Sequence, residues 1–251
     1  MRKVEILRVD ASTGEAQRVA DYVAEEKPLH IFLNETRYAT IFCSPSNLKE
    51  LAVGHVLSQK IISQIEEIEE INLNQTENCC CIRLKHDVNL SNKLNLSTYM
   101  RKVSSQASKI PRIRSDLKVK AETILSSVNN LNLTAETFKK TGGVHAASIH
   151  EEDGSVVAFA EDVGRHNAVD KVIGAAALGK IEFSKCFLAL SGRLTGDLVL
   201  KAVNVGFPIV ASLAAATDSG IKLAKTADLT LVGFVRGSRM NVYSFPERII
   251  A

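Results

Sequence analysis

The second half of the chain alternates short apolar runs with amphipathic segments, and this order limits the fold more than any other feature. Helical spacing of apolar residues begins after Glu161 and continues to Leu178. A second helical pattern ends at Gly206, with Pro208 just beyond it, and a third covers Asp218–Thr226. Strand-like runs cover 144–150, 156–161, 186–190, 209–212 and 228–234, and an edge strand is predicted at 240–244. The order predicts an α/β domain with helices layered on its sheet.

The junction at 161–174, with the sequence EDVGRHNAVDKVIG, is a predicted strand–turn–helix unit. Two carboxylates, Glu161 and Asp162, end an apolar run, a glycine turns the chain, and Arg165 and His166 follow. Such residues have two interpretations. They can simply cap a helix, with Asp162 as the N-cap, or they can bring an acid, a base and a cation to a ligand.

Polar, glycine-containing segments stand at the predicted strand ends, and we call them the five tips. They read TGGVHAA, EDVGRHN, SGRLTGD, AATDSG and FVRGSR. Ligands of such sheets collect where strands end and helices begin. Glycine lets a backbone N–H approach a ligand closely, and arginine matches phosphate oxygens in a bidentate manner. The tips are therefore predicted to meet at one rim and to bind a phosphorylated, nucleotide-like molecule. Their polar side chains are His145, Glu161, Asp162, Arg165, His166, Ser191, Arg193, Asp197, Asp218, Arg236 and Arg239.

Known catalytic motifs do not fit these tips. A zinc deaminase needs H-x-E at a helix start and P-C-x-x-C at the next junction. The position two residues after His166 is Ala168, and the next junction, at Gly192, contains no cysteine. His145 is followed in the same way by Ala147. The chain also lacks a G-x-S-x-G elbow and a Walker loop.

The first half of the chain is β-rich. Strand composition covers 4–9, 29–34 and 37–42, with a hairpin turn at 34–36, and further strands are predicted at 65–73 and at CCCIRL. A helix is predicted after Ser46 as its N-cap.

A basic stretch at 101–120 is either a solvated linker or helix, or a mobile segment that covers an anionic ligand. We divide the chain into a β-rich domain at 1–100, a basic linker at 101–133 and an α/β domain at 134–251.

Composition narrows the classes of function. The chain has 251 residues, 45% of them hydrophobic, so it can bury a sizeable core. A net charge of +3 and the absence of Trp argue against nucleic-acid binding. Since the sequence has no apolar run of about 18 residues and no signal-peptide pattern, we expect a cytoplasmic protein that does not bind a membrane.

The five cysteines are an odd number and do not form a disulfide framework. Cys79, Cys80 and Cys81 are adjacent, so in a strand they point to alternate faces and cannot jointly hold one metal ion. Buried small hydrophobic residues are the default interpretation of these three and of Cys43 and Cys186. No metal site is predicted.

Several long motifs resemble one known family. TGGVHAA, EDVGRHNAVDKVIG, GFPIVASLAAATDSGIKLA and LTLVGFVRGSRMNVYSFPERI are similar to the formate dehydrogenase accessory protein family, FdhD, and CSPSNLKELAVGHVLSQKII fits its N-terminal part. The resemblance implies a cytosolic, homodimeric sulfur carrier with a C-terminal three-layer domain similar to cytidine deaminases. Such a carrier receives sulfur from a cysteine desulfurase. It passes the sulfur to the molybdenum bis-guanine-dinucleotide cofactor before insertion into formate dehydrogenase. The family's cofactor-contacting segment matches Phe234, Val235, Arg236, Gly237, Ser238 and Arg239.

One departure from the family leaves two hypotheses open. Family members usually carry a sulfur-accepting C-x-x-C between their halves, but the corresponding region here, 103–114, contains no cysteine, and Gly143 stands where many members have a cysteine. A persulfide needs a thiolate, so no catalytic residue is assigned and enzymatic activity stays open. The first hypothesis is sulfur transfer on a displaced thiol of the 79–81 cluster. The second is a module that binds and delivers the guanine-containing cofactor without carrying sulfur.

Overall fold

The computed structural model of the protein describes residues 1–87 and 110–251. The fold is mixed α/β, as predicted. The strands are β1 (Arg2–Val9), β2 (Ala16–Val23), β3 (Lys27–Leu33), β4 (Thr36–Cys43), β5 (Ile68–Asn74), β6 (Cys79–Leu84), β7 (Val119–Lys120), β8 (His145–His150), β9 (Val156–Asp162), β10 (Phe187–Leu190), β11 (Ile209–Ser212), β12 (Thr230–Arg236), β13 (Arg239–Ser244) and β14 (Ile249–Ile250). The α-helices of the described residues are α1 (Leu48–Ser58), α2 (Ala121–Thr134), α3 (Glu136–Thr141), α4 (Arg165–Leu178), α5 (Gly196–Val205) and α6 (Asp218–Thr226).

A six-stranded sheet with the order β13-β12-β11-β10-β8-β9 forms the second half. β10, β11 and β12 are parallel, β8 is antiparallel to both β9 and β10, and β13 is antiparallel to β12. The ends of β9, β10, β11 and β12 therefore lie at the same rim as the beginnings of β8 and β13. The prediction that the five tips meet at one rim is confirmed.

Helices cover both faces of this sheet. Alternate residues of β10 point to opposite sides: Phe187 and Ala189 join an apolar cluster with α2, whereas Leu188 and Leu190 join the core that contains α4, α5 and α1. A strand buried on both faces reads as a continuous apolar run, which is why FLAL shows no polar alternation. The second half is thus built in three layers. Its similarity to cytidine deaminases in particular stays a prediction.

A second sheet, with the order β4-β3-β6-β5, packs on the other side of α1. Inward residues of β3 and β6, among them Ile31, Cys80 and Ile82, belong to the same buried core as α1 and α4. Cys79, Cys81 and Arg83 alternate with those of β6 and therefore point to the outer face of the sheet. β1 and β2 form a separate two-stranded sheet, as do β7 and β14.

Two glycines allow α1 and α4 to cross in backbone contact. A Cβ atom added at Gly54 would overlap the carbonyl oxygen of Asp170, and one added at Gly174 would overlap that of Glu50. Glycine is the residue that permits such an approach. The first half of the chain is in this way held directly against the helix that begins with Arg165.

Several local predictions are confirmed and others are wrong. The hairpin at 34–36 is confirmed, with Asn34 and Glu35 both at positive φ, as a two-residue I′ turn requires. Ser46 is not an N-cap: α1 begins after Asn47, whose φ is 52°, and the Ser46 Oγ accepts a hydrogen bond from Lys171 Nζ at 3.4 Å. β2 was not predicted.

The predicted linker at 101–133 contains α2, so the linker interpretation is wrong for that part. Ile124, Val128 and Leu131 of α2 are buried against the six-stranded sheet. Polar residues separate these buried positions, so the sequence of this segment does not show a clear helical pattern. Residues 101–109, which carry part of the basic stretch, lie outside the described residues. Within the described part of the chain, no helix is long and apolar enough to cross a membrane.

Candidate functional site

A cleft of about 410 Å³ opens at the rim where the tips meet. This is the size range of pockets that hold small organic ligands. Residues from the ends of β9, β10, β11 and β12, from the beginning of β8 and from α2 and α3 form its wall. The lining residues are Asn132, Phe138, Gly142, Gly143, Val144, His145, Val163, Ser191, Leu213, Ala214 and Arg236. We call this space the rim cleft.

Arg236 supplies the positive charge of the rim cleft. Its Nε donates to the carbonyl oxygen of Leu213 at 3.3 Å, and its guanidinium lies 5.7 Å from the ring centroid of Phe234. Phe234 has a φ of 51°, a conformation that non-glycine residues rarely adopt and that clusters at functional sites. The Arg236 Nε is therefore held by the backbone while the side chain as a whole stays exposed at the cleft.

Of the predicted segment 234–239, only Arg236 lines the rim cleft. Val235 is fully buried in the cluster beneath α2 and points away from the cleft. Gly237 forms the turn between β12 and β13, with a φ of 57°, and its carbonyl oxygen accepts from Asn129 Nδ2 at 2.9 Å. Ser238 and Arg239 are exposed on the same turn and do not line the rim cleft.

His145 stands at the beginning of β8, in the wall of the rim cleft. Its Nδ1 lies 3.4 Å from the Oγ of Ser191. Burial lowers the pKa of His145, and the nearby guanidinium groups of Arg165 and Arg193 lower it further. The imidazole is thus neutral at pH 7, and it can serve as a hydrogen-bond donor or acceptor without adding charge.

Glu161 and Asp162 have structural partners. The Glu161 carboxylate accepts the backbone N–H groups of Thr137 and Phe138, at 3.0 and 2.8 Å, and so caps the first turn of α3. The sequence had left open whether these acids face a ligand. Both carboxylate oxygens of Glu161 instead accept backbone hydrogen bonds from the beginning of α3.

Asp162 is not the N-cap of α4, as the helix-cap interpretation had it; Gly164 occupies that position. The Asp162 carboxylate is fully buried and lies 2.7 Å from Lys171 Nζ, which is buried as well. It also accepts from the backbone N–H groups of Ser44 and Gly164 and from Asn167 Nδ2. Asp162 therefore fixes the loop before α4 and ties it to the first half of the chain.

Four buried polar atoms near the beginnings of α4 and α5 have no hydrogen-bond partner among the described residues. They are Arg165 Nε, His166 Nε2, Thr195 Oγ1 and Asp197 Oδ1. Buried polar groups are nearly always paired, so a cluster of unpaired ones needs an explanation. Three of these residues belong to the predicted set. Thr195 was missed, although a threonine directly before a helix start is a recognisable sequence signal.

A buried ionic network joins α1, α4 and α5 below this cluster. Lys201 Nζ lies 2.7 Å from both carboxylate oxygens of Asp170, which also accept from Ser58 Oγ and contact His55 Nδ1 at 3.0 Å. Burial alone would raise the pKa of Asp170, but Lys201 and His55 outweigh it and lower the pKa to about 2. Nothing in the sequence indicates this long-range network.

His166 makes the stability of the fold depend on pH. Burial, with help from Lys201 and Arg165, lowers its pKa from 6.5 to about 4. Between these values the unfolded chain binds a proton that the folded chain does not, so stability falls as the pH drops from 6.5 to 4. We expect His166→Gln to remove up to about 3 kcal/mol of this loss.

Urea denaturation at pH 7.5 and pH 4.5 measures this effect. The pKa values of His55, His145 and His150 are also lowered, so the His166→Gln variant should still lose some stability as the pH falls. The control is His86→Gln, whose side chain is about half exposed and lies 3.2 Å from Glu67; loss of this surface pair should change the pH dependence by no more than about 0.5 kcal/mol. If the free energy of unfolding falls equally between pH 7.5 and pH 4.5 in His166→Gln and in the unsubstituted protein, the prediction is contradicted.

The five cysteines all lie in the described residues and differ in exposure. Cys43, Cys80 and Cys186 are buried, and burial raises the pKa of each thiol to about 11, 12 and 11. Cys79 is half-buried, and burial raises its pKa as well. Cys81 is exposed on the outer face of β6, where it lines a second cavity of about 380 Å³ together with Cys79.

Comparison with known proteins covers nearly the whole chain. The model of the FdhD/NarQ family matches residues 24–250. A sulfur carrier protein FdhD from Sulfolobus acidocaldarius is 36% identical over 252 residues, covering 99% of this chain and 98% of that protein. A protein of the same name from Shouchella clausii is 33% identical, covering 94% of this chain and 92% of its own.

A solved structure is similar to this fold along its full length. It is a crystal structure of a protein described as a formate dehydrogenase accessory protein, from Desulfotalea psychrophila. The TM-score is 0.84 at 28% sequence identity, and the match covers 99% of each chain.

Proposed function

The chain belongs to the FdhD/NarQ family, and we propose on this premise that it is a sulfur carrier in the maturation of a formate dehydrogenase. One observation carries the proposal. Two proteins named sulfur carrier protein FdhD match 99% and 94% of this chain, at 36% and 33% identity. The sulfur comes from a cysteine desulfurase, and the acceptor is a molybdenum cofactor destined for the apo-dehydrogenase.

We assign the sulfur-carrying role to Cys81. The outer sulfur of the desulfurase persulfide is attacked by the Cys81 thiolate, which forms a new S–S bond and releases the desulfurase cysteine as a thiolate. Electrons and sulfur atoms balance without a further oxidant. The support for this assignment is exposure, because the partner's persulfide can reach Cys81, whereas Cys43, Cys80 and Cys186 are enclosed in the core.

The rim cleft is the proposed site for one guanine-nucleotide end of the cofactor. Arg236, which stands in the wall, pairs with a phosphate group, and Arg239 lies on the same turn. A volume of about 410 Å³ suits one nucleotide end rather than the whole bis-guanine-dinucleotide cofactor. The proposal also includes a homodimer that acts in the cytoplasm and delivers its cargo to the apo-dehydrogenase.

A second candidate is a module that binds and delivers the cofactor without carrying sulfur. A specific observation favours it. The Cys81 side chain points away from α1, on the face of its sheet opposite to the core shared with α4, while the tips lie beyond that core. The sequence also contains no C-x-x-C motif that could take the place of Cys81 as the sulfur acceptor.

The test is sulfur loading in a purified system. The protein is incubated with a cysteine desulfurase, cysteine and pyridoxal phosphate, and its intact mass is then measured. A sulfur carrier gains about 32 Da, the mass of one sulfur atom, and the gain disappears on reduction. A protein that stays at its original mass under conditions in which a C-x-x-C homologue is loaded is the delivery module instead.

A further inference from the structure

A cavity of about 200 Å³ lies between α2 and the strands β8 and β9, and it shares no lining residue with the rim cleft. Ser127 and Asn130 of α2 line one side of it, and Ser148 and His150 of β8 line the other. Val156, whose side chain is 63% exposed, stands in the same wall, so the cavity reaches the surface. We call this space the α2 cavity.

Ser148 and His150 form a hydrogen-bonded pair in the wall of the α2 cavity. They are two residues apart on β8 and therefore point to the same face of the sheet. The Ser148 Oγ lies 2.7 Å from His150 Nε2, and His150 Nδ1 lies 2.9 Å from the carbonyl oxygen of Gly154. Because a carbonyl oxygen can only accept, the proton of the neutral imidazole is on Nδ1, and Nε2 accepts from the Ser148 hydroxyl. The serine proton thus already points at a base.

The imidazole of His150 is neutral and fixed in one orientation. Burial lowers the pKa of His150, and the hydrogen bond to the Gly154 carbonyl oxygen offsets only part of this effect. The ring also stacks on Phe187, with 5.0 Å between the ring centroids and 16° between the ring planes. His150 is therefore a free base at pH 7 that two contacts hold against Ser148. A serine hydroxyl bonded to a base that a third group orients is the arrangement of an activated nucleophile.

The α2 cavity suits a short acyl group. Its volume of about 200 Å³ is below the range of pockets that hold drug-sized ligands. Leu131 and Phe159 give it apolar surface, and Asn130 adds an amide. The Asn130 Nδ2 donates to the Ser126 Oγ at 3.5 Å, and its second N–H can donate to the carbonyl oxygen of an acyl donor. The cavity thus combines a nucleophile, a base, a carbonyl-binding group and room for a short chain.

We propose that Ser148 and His150 form a nucleophilic site that accepts a short acyl group from an activated ester or thioester. The Ser148 Oγ attacks the acyl carbon and forms an ester bond, while its proton passes to His150 Nε2. The C–O or C–S bond of the donor breaks, and the leaving alkoxide or thiolate takes this proton from Nε2. Atoms and electrons balance without an oxidant or a reductant. The inference goes beyond the proposed function and does not depend on sulfur transfer.

The test treats the protein with p-nitrophenyl acetate and locates the acetyl group by peptide mapping. We expect Ser148 to gain about 42 Da, the mass of an acetyl group that replaces a proton, and Ser148→Ala to carry no adduct at this position. Since a general base contributes about 10²- to 10⁴-fold, His150→Gln should slow the acylation of Ser148 by about 100-fold or more. Ser155→Ala, which removes an exposed hydroxyl of the turn between β8 and β9, is the control and should be acylated at Ser148 like the unsubstituted protein.

The length of the acyl chain tests whether the reaction takes place in the α2 cavity. p-Nitrophenyl decanoate should not acylate Ser148, because its chain is too long for the cavity, and equal rates for the two esters overturn the proposal. Acetyl groups on lysines alone, with none on Ser148 of the unsubstituted protein, also overturn it and leave the pair as a structural hydrogen bond. That outcome needs no variant, and a thermal melt checks that the variants fold. Sulfur loading still tests the proposed function separately.

Discussion

Replacing Cys81 by serine is expected to abolish sulfur loading by a cysteine desulfurase. The hydroxyl of serine cannot form a persulfide, three of the other cysteines are buried, and burial raises the pKa of the half-buried Cys79. Burial raises the pKa values of Cys43, Cys80 and Cys186 to about 11 or 12, so at pH 8 almost none of these thiols is the reactive thiolate. Intact mass spectrometry with a peptide map measures the effect.

Two variants serve as controls for the Cys81 prediction. Cys186→Ala removes a buried thiol and should load like the unsubstituted protein. Cys79→Ser changes the neighbouring thiol on the same face of β6 and should leave the adduct on Cys81. An adduct that persists in Cys81→Ser, mapped to another cysteine, would show that sulfur is carried elsewhere.

Replacing Lys171 by methionine is expected to lower the free energy of unfolding by about 3–5 kcal/mol, because it leaves the Asp162 carboxylate buried without its cation. Lys171 Nζ also donates to the carbonyl oxygens of Ser44 and Glu161, both at 3.2 Å. The same substitution should therefore loosen the loop before α4 that carries Val163 into the cleft wall. Urea denaturation at pH 7 measures the change.

The matched control for Lys171 is Lys222→Met. Lys222 pairs with Asp218 at 3.3 Å, but both side chains are about four-fifths exposed, so its loss should cost no more than about 0.5 kcal/mol. The double variant Lys171→Met/Asp162→Leu should recover part of the stability, since it removes both buried charges. A loss below about 1 kcal/mol for Lys171→Met would mean that water reaches Asp162 and that the pair is not isolated.

Features with a local cause could be predicted from the sequence. The apolar periodicity of 156–178 gave β9 and α4, and Gly206 ended α5 at a φ of 95° because glycine adopts this conformation without strain. The meeting of the tips after β10, β11 and β12 at one rim also followed, since successive parallel strands end at the same edge of a sheet. These inferences need no knowledge of which side chains touch.

Features with a long-range cause could not be predicted. Asp162 was interpreted as a helix cap because its actual partners cannot be recognised from the sequence. A lysine is rarely buried as Lys171 is, and Ser44 comes from the other half of the chain. Nothing near Gly54 in the sequence indicates that Asp170 passes against it. The group of unpaired buried atoms at the beginnings of α4 and α5 likewise depends on two separate helices, so only some of its individual residues were predicted.

The most direct test of the rim cleft is a titration of guanosine diphosphate into the unsubstituted protein and into Arg236→Ala and Arg239→Ala. Loss of the charge-assisted contact at Arg236 should weaken binding by about 1–3 kcal/mol, or roughly 5- to 150-fold, whereas Arg239, which does not line the cleft, should matter less. Arg18→Ala, an exposed arginine of β2, should bind normally. Equal affinities in all four proteins would contradict a guanine-nucleotide site at the rim, whereas a selective loss in the Arg236 variant is what we predict.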